Sequence, residues 1–207
     1  AGATSTGTTT ATATPTTTTS YTVTGTTLGC VGTAVATVTV NPLPIATASN
    51  DTTICTGSSV SLIAGGGVSY SWSPQTGLNN ASINNPISTP GSPITYTVTV
   101  TDQNGCTDTE DVNLALNEVP VASFDVDENV TTATCNGIET TLINTSQNAT
   151  NYYWSFPDSS TSTDVNPTYN FGLSGTVITL VAQNNICYDT LTQNYSGPLL
   201  DVLFNNL

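Results

Sequence analysis

The stretch TYTVTVTDQNGCTDTEDVNLALNEVPVAS, Thr95–Ser123, decides the fold of this chain. Its first six residues alternate Thr with Tyr or Val, which gives a strand one buried face and one solvated face. The pair Asn104-Gly105 then supplies residues that accept the positive φ angles of a tight hairpin turn. The stretch therefore predicts two antiparallel strands joined just before Cys106.

A second copy of this pattern lies earlier in the chain, in SYTVTGTTLGCVGTAVATVTVNPLPIAT, Ser20–Thr47. Tyr21 aligns with Tyr96 and Cys30 with Cys106, and one extra residue in the turn changes the offset from 75 to 76. A period of this length fits a sandwich of about seven short strands. The chain is therefore predicted to be all-β, a tandem series of antiparallel β-sandwiches.

The repeat also sets the domain organisation. Residues 43–117, the central module, form one complete unit, and residues 118–196, the C-terminal module, form a variant of it. Residues 1–42, the N-terminal unit, match only the second half of a module, so we expect a neighbouring chain or further residues to complete it. Residues 197–207 are expected to be a tail, the start of another unit or a strand donated to a neighbouring subunit.

Charge composition excludes several classes of function. The 207 residues include 14 carboxylates and no Lys, Arg or His. Nucleic acids and anionic membranes are bound through basic side chains, so neither is an expected partner. No run of 18 apolar residues is present, so no membrane insertion is expected. Nucleophilic catalysis normally needs a His or Lys base, so the chain is not expected to be an enzyme.

The absence of every trypsin-type cleavage site favours a chain that persists among extracellular proteases. A compositional bias of this particular segment is the alternative. No cofactor is expected, with calcium as the one ion that oxygen ligands alone could hold.

Five widely spaced cysteines argue for disulfides and an oxidising compartment. From the repeat we expect Cys55 to pair with Cys106 and Cys135 to pair with Cys187. Each bridge would close a loop of about 50 residues and stabilise the fold by about 4 kcal/mol on the chain-entropy model. Cys30 is then left unpaired or bonded to a neighbouring subunit.

Several blocks carry a family resemblance. In the central module they are TICTGSSVSL (Thr53–Leu62), YSWSPQTGL (Tyr70–Leu78) and TYTVTVTDQNGC (Thr95–Cys106). This module resembles the immunoglobulin-like repeats of type IX-secreted bacterial surface proteins. The C-terminal module resembles PKD (polycystic kidney disease) domains through PVASF (Pro120–Phe124) and NPTY (Asn166–Tyr169).

The resemblance implies a noncatalytic, extracellular protein of the cell surface. We expect a structural or adhesive segment of a secreted bacterial surface protein that assembles head to tail into a filament or fibrous stalk. Its partners would be copies of itself or adjacent repeats, together with surface glycans. A carbohydrate-binding accessory module of a secreted hydrolase is the alternative.

Several individual residues are candidates for a place in the core or in a metal site. Trp72 and Trp154, the only tryptophans, are expected in the two cores, packed against the disulfides as in immunoglobulin domains. Asp125, Asp127 and Glu128 form the best candidate calcium site.

Glycosylation is the remaining expectation. Asp51-Thr52-Thr53 and Asp189-Thr190-Leu191 fit the O-glycosylation motif of type IX-secreting bacteria, with Thr52 and Thr190 as acceptors. Asn50 and Asn148 are candidates in N-x-S/T sequences, which are frequent in a chain of this composition.

Overall fold

The computed structural model describes residues 3–5, 10–127, 132–134, 137–172 and 176–195. All regular structure in these residues is β, which agrees with the predicted fold class. The described part of the chain holds no helix with the length and apolar character that a membrane crossing requires.

The N-terminal unit contains two separate strand pairs. Its strands are β1 (Ala3–Ser5), β2 (Ala11–Ala13), β3 (Thr19–Thr27) and β4 (Cys30–Val38). Strand β1 pairs with β2, and β3 with β4, antiparallel in both cases.

The central module contains a four-stranded sheet in the order β6-β12-β11-β9, with the short pairs β5–β8 and β7–β10. Its strands are β5 (Thr47–Ala48), β6 (Thr52–Cys55), β7 (Val60–Ser61), β8 (Ala64–Gly65), β9 (Ser69–Ser73), β10 (Ile87–Ser88), β11 (Ile94–Thr101) and β12 (Thr107–Asn117). The predicted hairpin is β11–β12, and Gly105 has the positive φ angle, 82°, that its turn needs.

The C-terminal module is a sandwich of two four-stranded sheets, one built on β15 and the other in the order β17-β16-β19-β20. Its strands are β13 (Phe124–Val126), β14 (Thr132–Thr134), β15 (Gly137–Asn144), β16 (Asn151–Ser155), β17 (Thr161–Ser162), β18 (Thr168–Phe171), β19 (Thr176–Asn184) and β20 (Cys187–Tyr195).

One pairing departs from the expected antiparallel sheets. Strand β6 runs parallel to β12, with Thr52 opposite Leu114 and Cys55 opposite Asn117. Parallel neighbours need a long crossover, and here the whole body of the module separates the two strands. Strand β6 therefore ends beside the end of β12, at the point where the chain leaves the module.

Each module has its own core with a tryptophan at its centre, as expected for Trp72 and Trp154. Both side chains are 1% exposed. Each indole N–H donates to a backbone oxygen, from Trp72 to Ile83 and from Trp154 to Asp164, at 2.9 Å in both cases. The rest of the central core comprises Ala46, Leu62, Ala64, Tyr96, Val98, Val100, Val112 and Leu114. That of the C-terminal module comprises Ala122, Phe124, Leu142, Phe156, Phe171, Ile178, Leu180 and Ala182.

The β3–β4 hairpin has the register of β11–β12 but not its burial. Tyr21 lies opposite Ala36 and Val23 opposite Ala34, in the positions that Tyr96 and Val98 hold in the central module. Tyr96 and Val98 are fully buried, whereas Val23 is 57% exposed. The same alternating sequence therefore forms a ladder in both places, but Val23 is exposed where its counterpart Val98 is buried.

This difference predicts opposite outcomes for two matched truncations. Val98→Ala should lower the free energy of unfolding by about 2 kcal/mol, because it opens a cavity in a closed core. Val23→Ala should change it by less than about 0.5 kcal/mol in the dilute monomer, since its side chain is in water. Denaturant unfolding followed by tryptophan fluorescence measures both. Equal losses would show that the β3–β4 face is buried in the monomer.

Candidate functional site: the module junction

A disulfide joins the central module to the C-terminal module. Cys55, the last residue of β6, is bonded to Cys187, the first residue of β20, with a Cα–Cα distance of 5.7 Å. The pairings expected from the sequence, Cys55 with Cys106 and Cys135 with Cys187, were therefore wrong. Cys106 is a half-buried free cysteine and Cys30 an exposed one. Cys135 lies outside the described residues.

Strand register explains the correction. Cys55 lies opposite Asn117 at one end of the sheet, whereas Cys106 precedes Thr107 at the other end of β12. Eleven residues of strand separate these ends, which is about 35 Å. A disulfide requires Cα atoms within about 7 Å, so Cys55 reaches only the next module. Because Cys106 is free and Cys187 is bonded to Cys55, neither tryptophan packs against an intradomain disulfide in the described residues.

Hydrogen bonds fix the linker beside the disulfide. Asn117 ends β12, and its carbonyl accepts bonds from the backbone N–H and the hydroxyl of Thr56, at 2.8 and 3.1 Å. The Cys187 sulfur lies 3.8 Å from the same carbonyl oxygen. The side-chain amide of Asn184 donates to the carbonyl of Glu118 at 2.8 Å and to that of Asn148 at 2.6 Å. The junction is thus held by one covalent bond and by contacts from both modules.

A carboxylate receives the chain where each module begins. The Asp108 carboxylate accepts the backbone N–H of Ala46 at 2.8 Å, and the Asp189 carboxylate accepts that of Ala122 at 2.9 Å. Both acids lie on the last long strand of their module, two residues after a cysteine at the hairpin turn. In both modules, therefore, a carboxylate two residues after the turn cysteine fixes the entering chain.

Two further aspartates support the strands around the cysteines. Asp51 accepts the backbone N–H of Asn113 at 2.8 Å and its side-chain amide at 2.9 Å, and these bonds hold the pKa of Asp51 below its ordinary value. At Asp102, desolvation alone would raise the pKa, but bonds from the N–H groups of Cys106 and Asn104 outweigh it and lower the value. Asp51 anchors β6, which carries Cys55, and Asp102 closes the turn before Cys106.

The candidate calcium site remains a prediction. Glu128 lies outside the described residues, while Asp125 and Asp127 lie on or next to β13. Burial, and after it the negative charge of Asp125, raises the pKa of Tyr195 to about 12. In the part of the chain that the structure describes, no three Cys, Asp or Glu side chains cluster as metal ligands would.

All four candidate glycosylation residues are exposed. Thr52 lies on β6 and Thr190 on β20, while Asn50 and Asn148 lie in loops. Exposure is a condition that a modification site must meet, and the modification itself stays a prediction.

No family model and no curated protein matches the chain. Among solved structures, it is similar to the PKD1 domain of Vibrio anguillarum Epp, with 19% identity, a TM-score of 0.32, and coverage of 39% of this chain and 94% of that one. It is also similar to the insect immune protein hemolin, with 15% identity, a TM-score of 0.39, and coverage of 84% and 54%. A third similar structure is the amphioxus IgVJ-C2 molecule, with 10% identity, a TM-score of 0.33, and coverage of 70% and 100%. The all-β assignment itself stands on the strand pairing and the two cores.

The intermodule disulfide was not predicted, although the sequence contains a signal for it. Cys106-Thr107-Asp108 and Cys187-Tyr188-Asp189 share the pattern Cys-x-Asp directly after a hairpin turn. In both cases the cysteine lies two residues before the acid that holds the entering chain, so the pattern places it beside the junction with the preceding module.

The intermodule disulfide is directly testable. Digestion with chymotrypsin under non-reducing conditions should release a peptide pair that contains Cys55 and Cys187, identified by mass spectrometry. In the variant Cys55→Ser/Cys187→Ser, both cores should persist while the modules tumble separately, which NMR relaxation detects as two shorter correlation times. Cys30→Ser is the matched control and should leave tumbling unchanged. A peptide pair that links Cys55 to Cys106 would contradict the assignment.

The Asp51 hydrogen bonds predict acid sensitivity of the central module. Because the pKa of Asp51 is lower in the folded chain than the ordinary value of about 3.9, its contribution is present above that value and is lost as the pH falls through the folded pKa. Unfolding of wild type should therefore become easier below about pH 4, and Asp51→Asn should remove part of this dependence. Thr52→Ser, which keeps the carboxylate, should follow wild type. Identical pH profiles for Asp51→Asn and wild type would contradict this role.

Proposed function

We propose that this chain is a structural or adhesive segment of a secreted bacterial surface protein and that it assembles head to tail into an extracellular filament or stalk. The observation that carries the proposal is the Cys55–Cys187 disulfide, which ties two modules across the short linker 118–120. The bond adds a covalent connection beside the linker, and in an extended chain of modules such a connection limits how far neighbours turn relative to one another. A disulfide also agrees with an oxidising, extracellular location.

The β3–β4 hairpin supports the assembly part of the proposal. One of its faces carries Tyr21, Val23, Ala34, Ala36 and Val38, in the register of a buried face of the central module. The hydroxyl oxygen of Tyr21 is buried without a hydrogen-bond partner in the described residues, whereas that of Tyr96 bonds to Thr76 and Ser88. Exposed apolar surface of this kind marks an interaction site. A neighbouring module or subunit that supplies the missing strands would cover it.

The alternative, a carbohydrate-binding accessory module, has one observation in its favour. Tyr153 is 48% exposed beside a shallow hollow lined by Asn151, Thr163 and Val165. Aromatic rings and polar side chains of this kind bind sugars by stacking and hydrogen bonding. Both tryptophans are buried, however, so the stacking surface would be a tyrosine rather than a platform of several rings.

Electron microscopy of the purified chain separates the two functions. Negative staining should show regular fibres, and Val23→Asp should abolish them because a charge on the apolar face cannot be buried without a partner. Thr24→Asp places the same charge on the opposite face of the hairpin and should leave the fibres intact. Dispersed particles at every protein concentration would contradict assembly. Binding to a glycan array that is lost in Tyr153→Ala would then favour the accessory module.

A further inference from the structure

Three hairpin turns in this chain carry a cysteine at the same register position. Cys30 lies opposite Thr27, Cys187 lies opposite Asn184, and Cys106 follows the equivalent turn after Asp102. Cys187 is bonded to the preceding module, while Cys30 and Cys106 are free. The position of the bonded Cys187, here the occupied position, therefore differs in its surroundings from the positions of the two free cysteines.

The occupied position has three parts. The first is the strand that leaves the preceding module, β12, whose last residues up to Asn117 pair only with β6. The second is β6 itself, a short parallel strand that ends in Cys55. The third is the turn cysteine of the next module, Cys187, with Asp189 holding the backbone N–H of Ala122 two residues further on.

Two of these parts are present at the preceding junction. Strand β4 leaves the N-terminal unit as β12 leaves the central module, with Val38 in the position of Leu114. Asp108 holds the N–H of Ala46 at 2.8 Å, as Asp189 holds that of Ala122. Cys106 stands two residues before Asp108. What differs is the parallel strand: in the described residues β4 ends at Val38 with β3 as its partner, whereas β12 continues along β6 for three more residues to Asn117.

We propose that Cys106 is the receiving half of a second intermodule disulfide. Its partner is a cysteine at the end of an extended segment of the Thr-Thr-Ile-Cys type, which pairs in parallel with residues 39–41 as Thr52–Cys55 pairs with β12. This inference rests on the proposed function of tandem modules and names the contact that links them. In bond formation the two thiols lose two hydrogens to an acceptor disulfide of an oxidoreductase, which is reduced to two thiols.

Cys30 provides an internal comparison. It has the same register position as Cys106, but Gly32 stands two residues after it, where Asp108 follows Cys106 and Asp189 follows Cys187. The acid that holds the entering chain is therefore present beside Cys106, and Cys30 has no carboxylate at that position. Exposure alone would favour Cys30, since it is the more accessible thiol.

The test uses the full chain and a peptide with its own sequence DTTICTG, Asp51–Gly57, supplied as a mixed disulfide with glutathione. A protein thiolate attacks the peptide sulfur and releases glutathione. The equilibrium yield at each protein cysteine therefore measures how well the peptide binds to the surface beside that cysteine. At Cys106 this peptide should give a yield constant about tenfold higher than a control peptide with Ile54→Pro, which lacks a ladder N–H, a preference that one or two net backbone hydrogen bonds provide. Cys30 should not distinguish the two peptides. Chymotryptic mapping assigns each adduct and checks that Cys55–Cys187 stays intact.

A protein variant completes the test. Asn41→Pro removes the ladder donor on the exit strand while leaving Cys106 in place, so the preference at Cys106 should disappear. Equal yields of the two peptides at Cys106, or an equal preference at Cys30, would overturn the inference. Fibres in the electron microscope together with no peptide preference would overturn this disulfide alone, whereas dispersed particles would overturn the assembly on which it rests.

Discussion

The structure depends on how a chain without a cationic side chain satisfies its carboxylates. No side-chain salt bridge is available, so the aspartates accept bonds from backbone N–H groups, and they do so where strands must be held. Asp51 fixes the start of β6, Asp102 closes the β11–β12 turn, and Asp108 and Asp189 receive the chain at the two module entrances. Bonds from N–H groups to an ionised oxygen are stronger than those between neutral groups. These aspartates therefore stabilise the fold through the backbone N–H groups whose bonds they accept, and not through pairing with a cation.

The remaining stability comes from strand ladders and two apolar cores of similar design. In both modules a tryptophan, on β9 or on β16, donates its indole N–H to a loop carbonyl, and the strand beside it supplies fully buried residues such as Val98 and Leu180. The C-terminal module adds packed aromatic rings, with Phe124 against Trp154 at a centroid distance of 5.0 Å and Phe156 stacked on Tyr169 at 4.5 Å. The two sequences thus differ in the composition of the core while keeping the strand register.

Much of this architecture could be predicted from the sequence. The alternation in Thr95–Thr101 and the pair Asn104-Gly105 are local signals, and they fix a hairpin whose register then determines which side chains face inward. The parallel pairing of β6 with β12 and the disulfide partners depend instead on which strand ends meet in space. Cys55 and Cys106 belong to one module and are separated by 51 positions, a spacing that looks like an intradomain bridge, yet they lie at opposite ends of a sheet. Sequence spacing carries no information on that distance.

The placement of the disulfide has a mechanical consequence. Cys55 lies one strand away from Asn117, so the bond to Cys187 runs beside the peptide linker as a second covalent path between the modules. When the chain is pulled lengthwise, tension is divided between the two paths and enters β6 and β20 along their length. The load then acts in shear on many backbone hydrogen bonds at once rather than peeling them one by one. Such a joint has less freedom to bend than a single peptide linker, because two covalent paths connect the modules.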